Sequence, residues 1–123
     1  DPIEELIVER KIELNNIYFD FDKFNITSKA AFELDKLVAV MKKYTDINII
    51  VESHTDSRGS SSYNQGLSER RAKATVQYVI SKGIAEDRLE AVGKGEEESL
   101  FDCSNGCSKE QHSQNRRSEF IIK

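Results

Sequence analysis

A chain of 123 residues, 37% apolar and 33% charged, holds one domain with a modest core and a densely charged surface. Its formal net charge of −4 argues against a nucleic-acid partner, which calls for a strongly basic face, and no run approaches the roughly 18 apolar residues of a membrane span. The basic group Arg70, Arg71 and Lys73 is local and lies beside Glu69; taken alone it reads as a solvated helix face.

The chain opens at Asp1-Pro2 with neither Met nor a signal-peptide pattern. It therefore reads as an excised domain or processed product whose targeting or membrane segment lies outside it. Residues 1–11 are mixed and charged, an N-terminal tail or linker, with the domain proper over 12–123. Within 12–21, IELNNIYFDF places apolar residues at 12, 14, 17, 19 and 21, which predicts a strand with one buried face and an irregularity near Asn15-Asn16. Thr27 or Ser28 caps a helix running to about Tyr44. Leu34, Leu37, Val38 and Met41 form its apolar stripe, and Phe32 is expected to serve the same core. The β-branched run over 47–53 is strand-sized. A Gly/Ser loop follows, then a helix over 64–82 with Asn64 as a candidate cap, Ala72, Val76, Val79 and Ile80 as its apolar face, and Gly83 as its stop.

Residues 88–92 are a weak strand candidate ended by Gly93 and Gly95, and 96–114 form a long polar loop with a turn of helix near 109–114. SEFIIK over 118–123 is the last strand. The order β-α-β-α-β-β predicts an α+β fold: a two-layer sandwich with a mixed sheet and two main helices on one face.

Catalysis lacks its geometry. His54, Asp56 and the nearby serines invite a hydrolase reading, but no serine sits in a strand-to-helix elbow. GKGEEES over 93–99 lacks the spacing of a phosphate loop. No catalytic residue and no cofactor are expected. Cys103 and Cys107 stand four apart, and three readings stay open on spacing alone. A short loop permits a disulfide. With His112, and His54 as a remote fourth ligand, the pair offers metal donors at a spacing unlike the common zinc patterns. Two free thiols suit a reducing compartment.

The remaining chemistry is Asp56 and Arg71, an acid at the end of a strand and a base in the next helix, placed on the side opposite Val76. One reading is an internal ion pair, worth at most about 1 kcal/mol if exposed. The other is a zwitterion clamp: Asp56 takes an ammonium while Arg71 grips a carboxylate through its planar fork.

The pattern T-D-x-x-G-x-x-x-x-N-x-x-L-S-x-x-R-A, seen as Thr55, Asp56, Gly59, Asn64, Leu67, Ser68, Arg71 and Ala72, together with FDFDKFNI over 19–26 and Asn115-Arg116-Arg117, resembles the OmpA-like domain. That family takes in the C-terminal domain of outer-membrane protein A, the peptidoglycan-associated lipoprotein and MotB. The resemblance covers about 12–123 and implies non-covalent binding of peptidoglycan through the diaminopimelate of its stem peptide. By motif match, Asp56 pairs with the ammonium at the free end of diaminopimelate and Arg71 with its carboxylate. Phe21, Asp22, Thr55, Asn64 and Arg116 support them, and the contacts of Phe21 and Thr55 are partly main-chain. Leu67 reads as packing, Arg70 as surface, and only one of Arg116 and Arg117 faces the site. The family works in the periplasm, an oxidising compartment, so the resemblance implies a Cys103–Cys107 disulfide. It implies a non-enzymatic module that tethers an outer-membrane protein or lipoprotein to the wall, with the membrane reached only through a segment outside this chain. The second reading is an envelope or stator-type domain acting mainly through protein partners.

Overall fold

A computed structural model describes residues 15–103 and 106–122. The tail over 1–11, the predicted strand residues 12–14 and Lys123 lie outside the described residues. Helix α1 (Ser28–Lys43) starts where Thr27 accepts the Ala30 N–H at 3.1 Å, and Lys42 and Lys43 suit the negative end of its dipole. Its stripe of Leu34, Leu37, Val38 and Met41 is buried as the spacing predicts. Phe32 corrects one expectation: it is 63% exposed, because two residues before Leu34 it turns to the opposite side of the helix, where the Lys36 ammonium lies 4.6 Å from its ring centre.

Four strands form one mixed sheet in the order β1-β4-β2-β3. They are β1 (Ile17–Tyr18), β2 (Ile49–Ser53), β3 (Leu89–Gly93) and β4 (Arg117–Ile122). β2 pairs with β3 in parallel and with β4 antiparallel, while β1 pairs antiparallel with β4. The parallel pair needs a crossover, and helix α2 (Ser61–Ser81) supplies it. A short α3 (Lys109–Asn115), closed by a Ser108/Gln111 capping box, leads into β4. Ile49 and Val51 on one face of β2 join Leu34, Leu37, Val38 and Met41 of α1 and Val76 and Val79 of α2 in a single apolar cluster. Two helices thus cover one face of a mixed sheet, the expected α+β sandwich.

Helix α2 begins three residues before the predicted start. Ser60, not Asn64, is its cap, accepting the Tyr63 N–H at 3.2 Å. Its buried stripe runs Asn64, Leu67, Ser68, Arg71, Ala72, Thr75, Val76 and Val79, polar in the first half and apolar in the second. Arg71 is therefore on the same buried face as Val76, not opposite it. β3 packs on that first half closely: a Cβ on Gly93 would lie 2.6 Å from the Glu69 backbone nitrogen. Among the described residues, no helix is long and apolar enough to cross a membrane.

Candidate functional site

β2 ends at Ser53, and the next three residues, His54, Thr55 and Asp56, stay buried as the chain crosses beneath the start of α2. Asn64 pins this crossing. Its side-chain N–H donates to the carbonyls of Arg58 at 3.0 Å and Asp56 at 3.4 Å, and to Glu96 Oε1 at 3.1 Å. From the other side the Thr55 N–H donates to the Gly95 carbonyl at 2.9 Å, and the Gly95 N–H to Ser68 Oγ at 2.8 Å. The loop that carries the acid is thereby locked to the helix that carries the base.

The Asp56 side chain is 5% exposed. Its Oδ1 accepts the Arg58 backbone N–H at 3.0 Å, while Oδ2 accepts from Arg58 Nη2 at 2.8 Å and from Arg116 Nη1 at 3.3 Å. Burial pushes this carboxyl upward, but the Arg58 hydrogen bonds and charge, with help from Arg116, outweigh it and hold the group below the usual aspartate range. Asp56 is an anion at neutral pH, paired with the Arg58 and Arg116 guanidinium groups.

Arg71 is wholly buried. Its Nε donates to the Lys23 carbonyl at 2.8 Å, Nη1 to His54 at 3.0 Å and Nη2 to Asp20 at 3.2 Å. Those bonds leave two of a guanidinium's five N–H donors for another acceptor. The 20–23 turn that supplies two of the carbonyls is closed by the Lys23 N–H on Asp20 and contains Asp22 at φ 57°, a left-handed conformation that aspartate tolerates. The Asp22 carboxylate in turn accepts the Tyr63 hydroxyl. Burial and the Arg116 charge lower Arg71 to about 10, with Asp56 and Asp22 opposing, so it remains charged at neutral pH.

Of the two readings of Asp56 and Arg71, the internal ion pair is not what forms. Asp56 pairs with Arg58 and Arg116, and Arg71 holds main-chain carbonyls. Both nevertheless line one cavity of about 360 Å³, together with Phe21, Asp22, Thr55, Arg58, Asn64 and Leu67. That size is at the low end of ligand pockets, roughly 300–1,000 Å³. Of the predicted site residues the cavity gathers all but Arg116, which reaches it only through Asp56. The Thr55 hydroxyl is buried there with no hydrogen-bond partner among the described residues. Its amide is occupied by Gly95, so the free group at this position is the side chain rather than the main-chain N–H. A wider groove of about 1190 Å³ between β1, α1 and α3 contains Arg116 but neither Asp56 nor Arg71.

A family model described as the OmpA family matches residues 18–116. The chain belongs to the OmpA family. The peptidoglycan-associated lipoprotein of Buchnera aphidicola subsp. Baizongia pistaciae (strain Bp) is 34% identical over 107 residues, which is 87% of this chain and 60% of that protein. The chain spans about 60% of the length of the first curated relatives it matches. The crystal structure of the peptidoglycan-associated lipoprotein from Burkholderia pseudomallei is similar at a TM-score of 0.82 and 26% identity, over 100% of both chains. The C-terminal domain of Helicobacter pylori MotB shares the fold at a TM-score of 0.80 and 17% identity, over 90% of this chain and 85% of that one.

In this OmpA-family domain Cys103 and Cys107 form a disulfide. Their sulfurs and His112 lie within 4.8 Å of one another, but the S–S bond leaves no thiolate to ligate a metal, and His54, buried at the end of β2, is not among these donors. Both His54 ring nitrogens are buried with no hydrogen-bond partner among the described residues, and Glu119 Oε2 stands 3.8 Å from Nε2. Burial, then the Arg117 charge, lowers this imidazole to about 4, with Glu119 opposing. Arg117 turns away from the site toward Glu119 and the Glu98 carbonyl, while Arg116 is anchored by Nε on the Phe19 carbonyl at 2.8 Å. Arg58 is the residue that sequence reasoning missed. Its spacing two residues after Asp56, that of an Asx turn, was the available signal.

Proposed function

We propose that this OmpA-family domain binds diaminopimelate-type peptidoglycan non-covalently through the stem peptide, Asp56 accepting the ammonium and Arg71 the carboxylate of the diaminopimelate free end. One observation carries the reading. A buried anion and a buried cation line a single cavity without neutralising each other. Such a cavity suits a ligand head group that carries both charges. Thr55, Asn64, Phe21 and Asp22 shape the cavity, the Thr55 hydroxyl supplies a hydrogen-bonding group, and Arg116 steadies Asp56. The names of the relatives support an anchoring role at the wall. We place the domain in the periplasm, tethered to the outer membrane by a part of the full-length protein beyond this chain, and acting without catalysis or cofactor.

Lysine at the same stem position ends in an ammonium alone and leaves the two remaining Arg71 donors unpaired in a desolvated pocket, which costs binding energy. In a pull-down with intact sacculi, the domain is expected to be retained by diaminopimelate-type walls and far less by lysine-type walls, with Asp56→Asn abolishing retention. Incubation with muropeptides should yield no new products. Equal retention by both wall types would overturn the reading.

A further inference from the structure

The anion of this site already holds a cation. Arg58 Nη2 lies 2.8 Å from Asp56 Oδ2, and the Arg58 guanidinium stacks 4.0 Å from the centre of the Phe21 ring, so it lies directly over the group assigned to the ligand ammonium. The two partners of Oδ2 differ in freedom. Arg116 is 12% exposed and anchored through Nε on the Phe19 carbonyl. The Arg58 side chain is 41% exposed over a carboxylate that is 5% exposed, so it can leave into solvent. Its backbone N–H would stay on Oδ1 at 3.0 Å and keep the carboxylate oriented while Oδ2 changes partner.

We propose that Arg58 sets the affinity of this site, as a cationic latch on Asp56 that the ligand ammonium displaces on binding. This rests on the reading of Asp56 as the ammonium acceptor. A cation two residues along the same loop is always present at high local concentration, so the apparent affinity is the intrinsic affinity reduced by the fraction of molecules with the latch open. An ammonium arriving alone exchanges one ion pair for another and gains little. Net affinity then has to come from the opposite end of the ligand, at Arg71. The latch thus lowers affinity for every ammonium-bearing ligand by the same factor, and a ligand that also engages Arg71 keeps the larger net affinity.

Calorimetric titration of the wild-type domain, Arg58→Ala, Arg58→Gln and Arg58→Lys with stem tripeptides ending in diaminopimelate or in lysine tests this. Both neutral variants should bind the diaminopimelate peptide roughly two- to fivefold more tightly than wild type. The lysine peptide should gain by the same factor, and Arg58→Lys should stay nearest wild type. Unchanged or weaker binding by both neutral variants, with wild type binding normally, would overturn the latch; a loss confined to the diaminopimelate peptide would make Arg58 a carboxylate contact instead. If wild type binds neither peptide, the wall-binding reading fails, and the latch is judged by the Asp56 carboxyl titration followed by NMR. Arg58→Ala must then raise its midpoint, and an unchanged midpoint would refute the contact itself.

Discussion

Arg71 is wholly buried and ties down the Lys23, Asp20 and His54 carbonyls, so its two roles, holding the 20–23 turn and presenting donors to the cavity, sit in one side chain. The sequence reading places Arg71 on the side of the helix opposite Val76, a position from which alanine would remove binding alone. The structure predicts otherwise. Arg71→Ala strands three carbonyls and should lower unfolding stability by roughly 2–5 kcal/mol, measured by urea denaturation, along with the loss of binding. Asp56→Asn keeps its size and acceptor oxygen, and should leave the fold largely intact while removing the charge for the ammonium. A stability loss for Asp56→Asn equal to that of Arg71→Ala would contradict this division of roles. The acid and the base were legible in the sequence as a pair. Their actual partners were not, because Asp20 and Lys23 lie 51 and 48 residues upstream of Arg71, and nothing local encodes so distant a contact.

At the scale of elements, periodicity located both main helices and most of the core. Leu34, Leu37, Val38 and Met41 obey the spacing and are buried. It misplaced the start of α2, because Ser61-Ser62-Tyr63 has the composition of a loop, and because the buried stripe opens with Asn64, Ser68 and Arg71 before turning apolar. A binding site built on the first turns of a helix hides that helix from a hydrophobic pattern. β1 ends at Tyr18, short of the expected Phe21, for a related reason: Phe19 and Phe21 alternate as in a strand, yet the chain turns there to present carbonyls to Arg71, leaving Phe21 and Phe24 about half exposed. The docking of β3 on α2 gives an element-scale prediction. Gly93→Ala places a Cβ 2.6 Å from the Glu69 backbone nitrogen and 2.7 Å from Ser68 Oγ, forcing the helix off the strand at a cost of roughly 2 kcal/mol, or about 8 °C in thermal midpoint for a domain of this size. Ser68 also holds Gly95, so binding should weaken as well. An unchanged melting temperature would show that the β3–α2 contact is looser than it stands here.

For the whole molecule, acid acts through two groups with the same sign. His54 is lowered from 6.5 to about 4 in the fold, so between those values the unfolded chain binds more protons, and stability rises with pH across that window and is fully present above it. The magnitude is on the order of 3 kcal/mol. Asp56, held low by Arg58 and Arg116 against its burial, contributes stability that is lost only at lower pH, as its folded midpoint is passed. Denaturant melts from pH 7.5 down to 4.5 should show the His54 slope, and His54→Gln should flatten it; a wild-type slope that survives the substitution would assign the effect elsewhere. The account as a whole rests on one anion and one cation reading the two charges of one head group. Titration calorimetry of the wild-type domain with matched stem tripeptides tests that directly. The diaminopimelate peptide should bind roughly ten- to a hundredfold more tightly than the lysine peptide, the cost of leaving a buried charged donor unpaired. Equal affinities for the two would contradict the clamp.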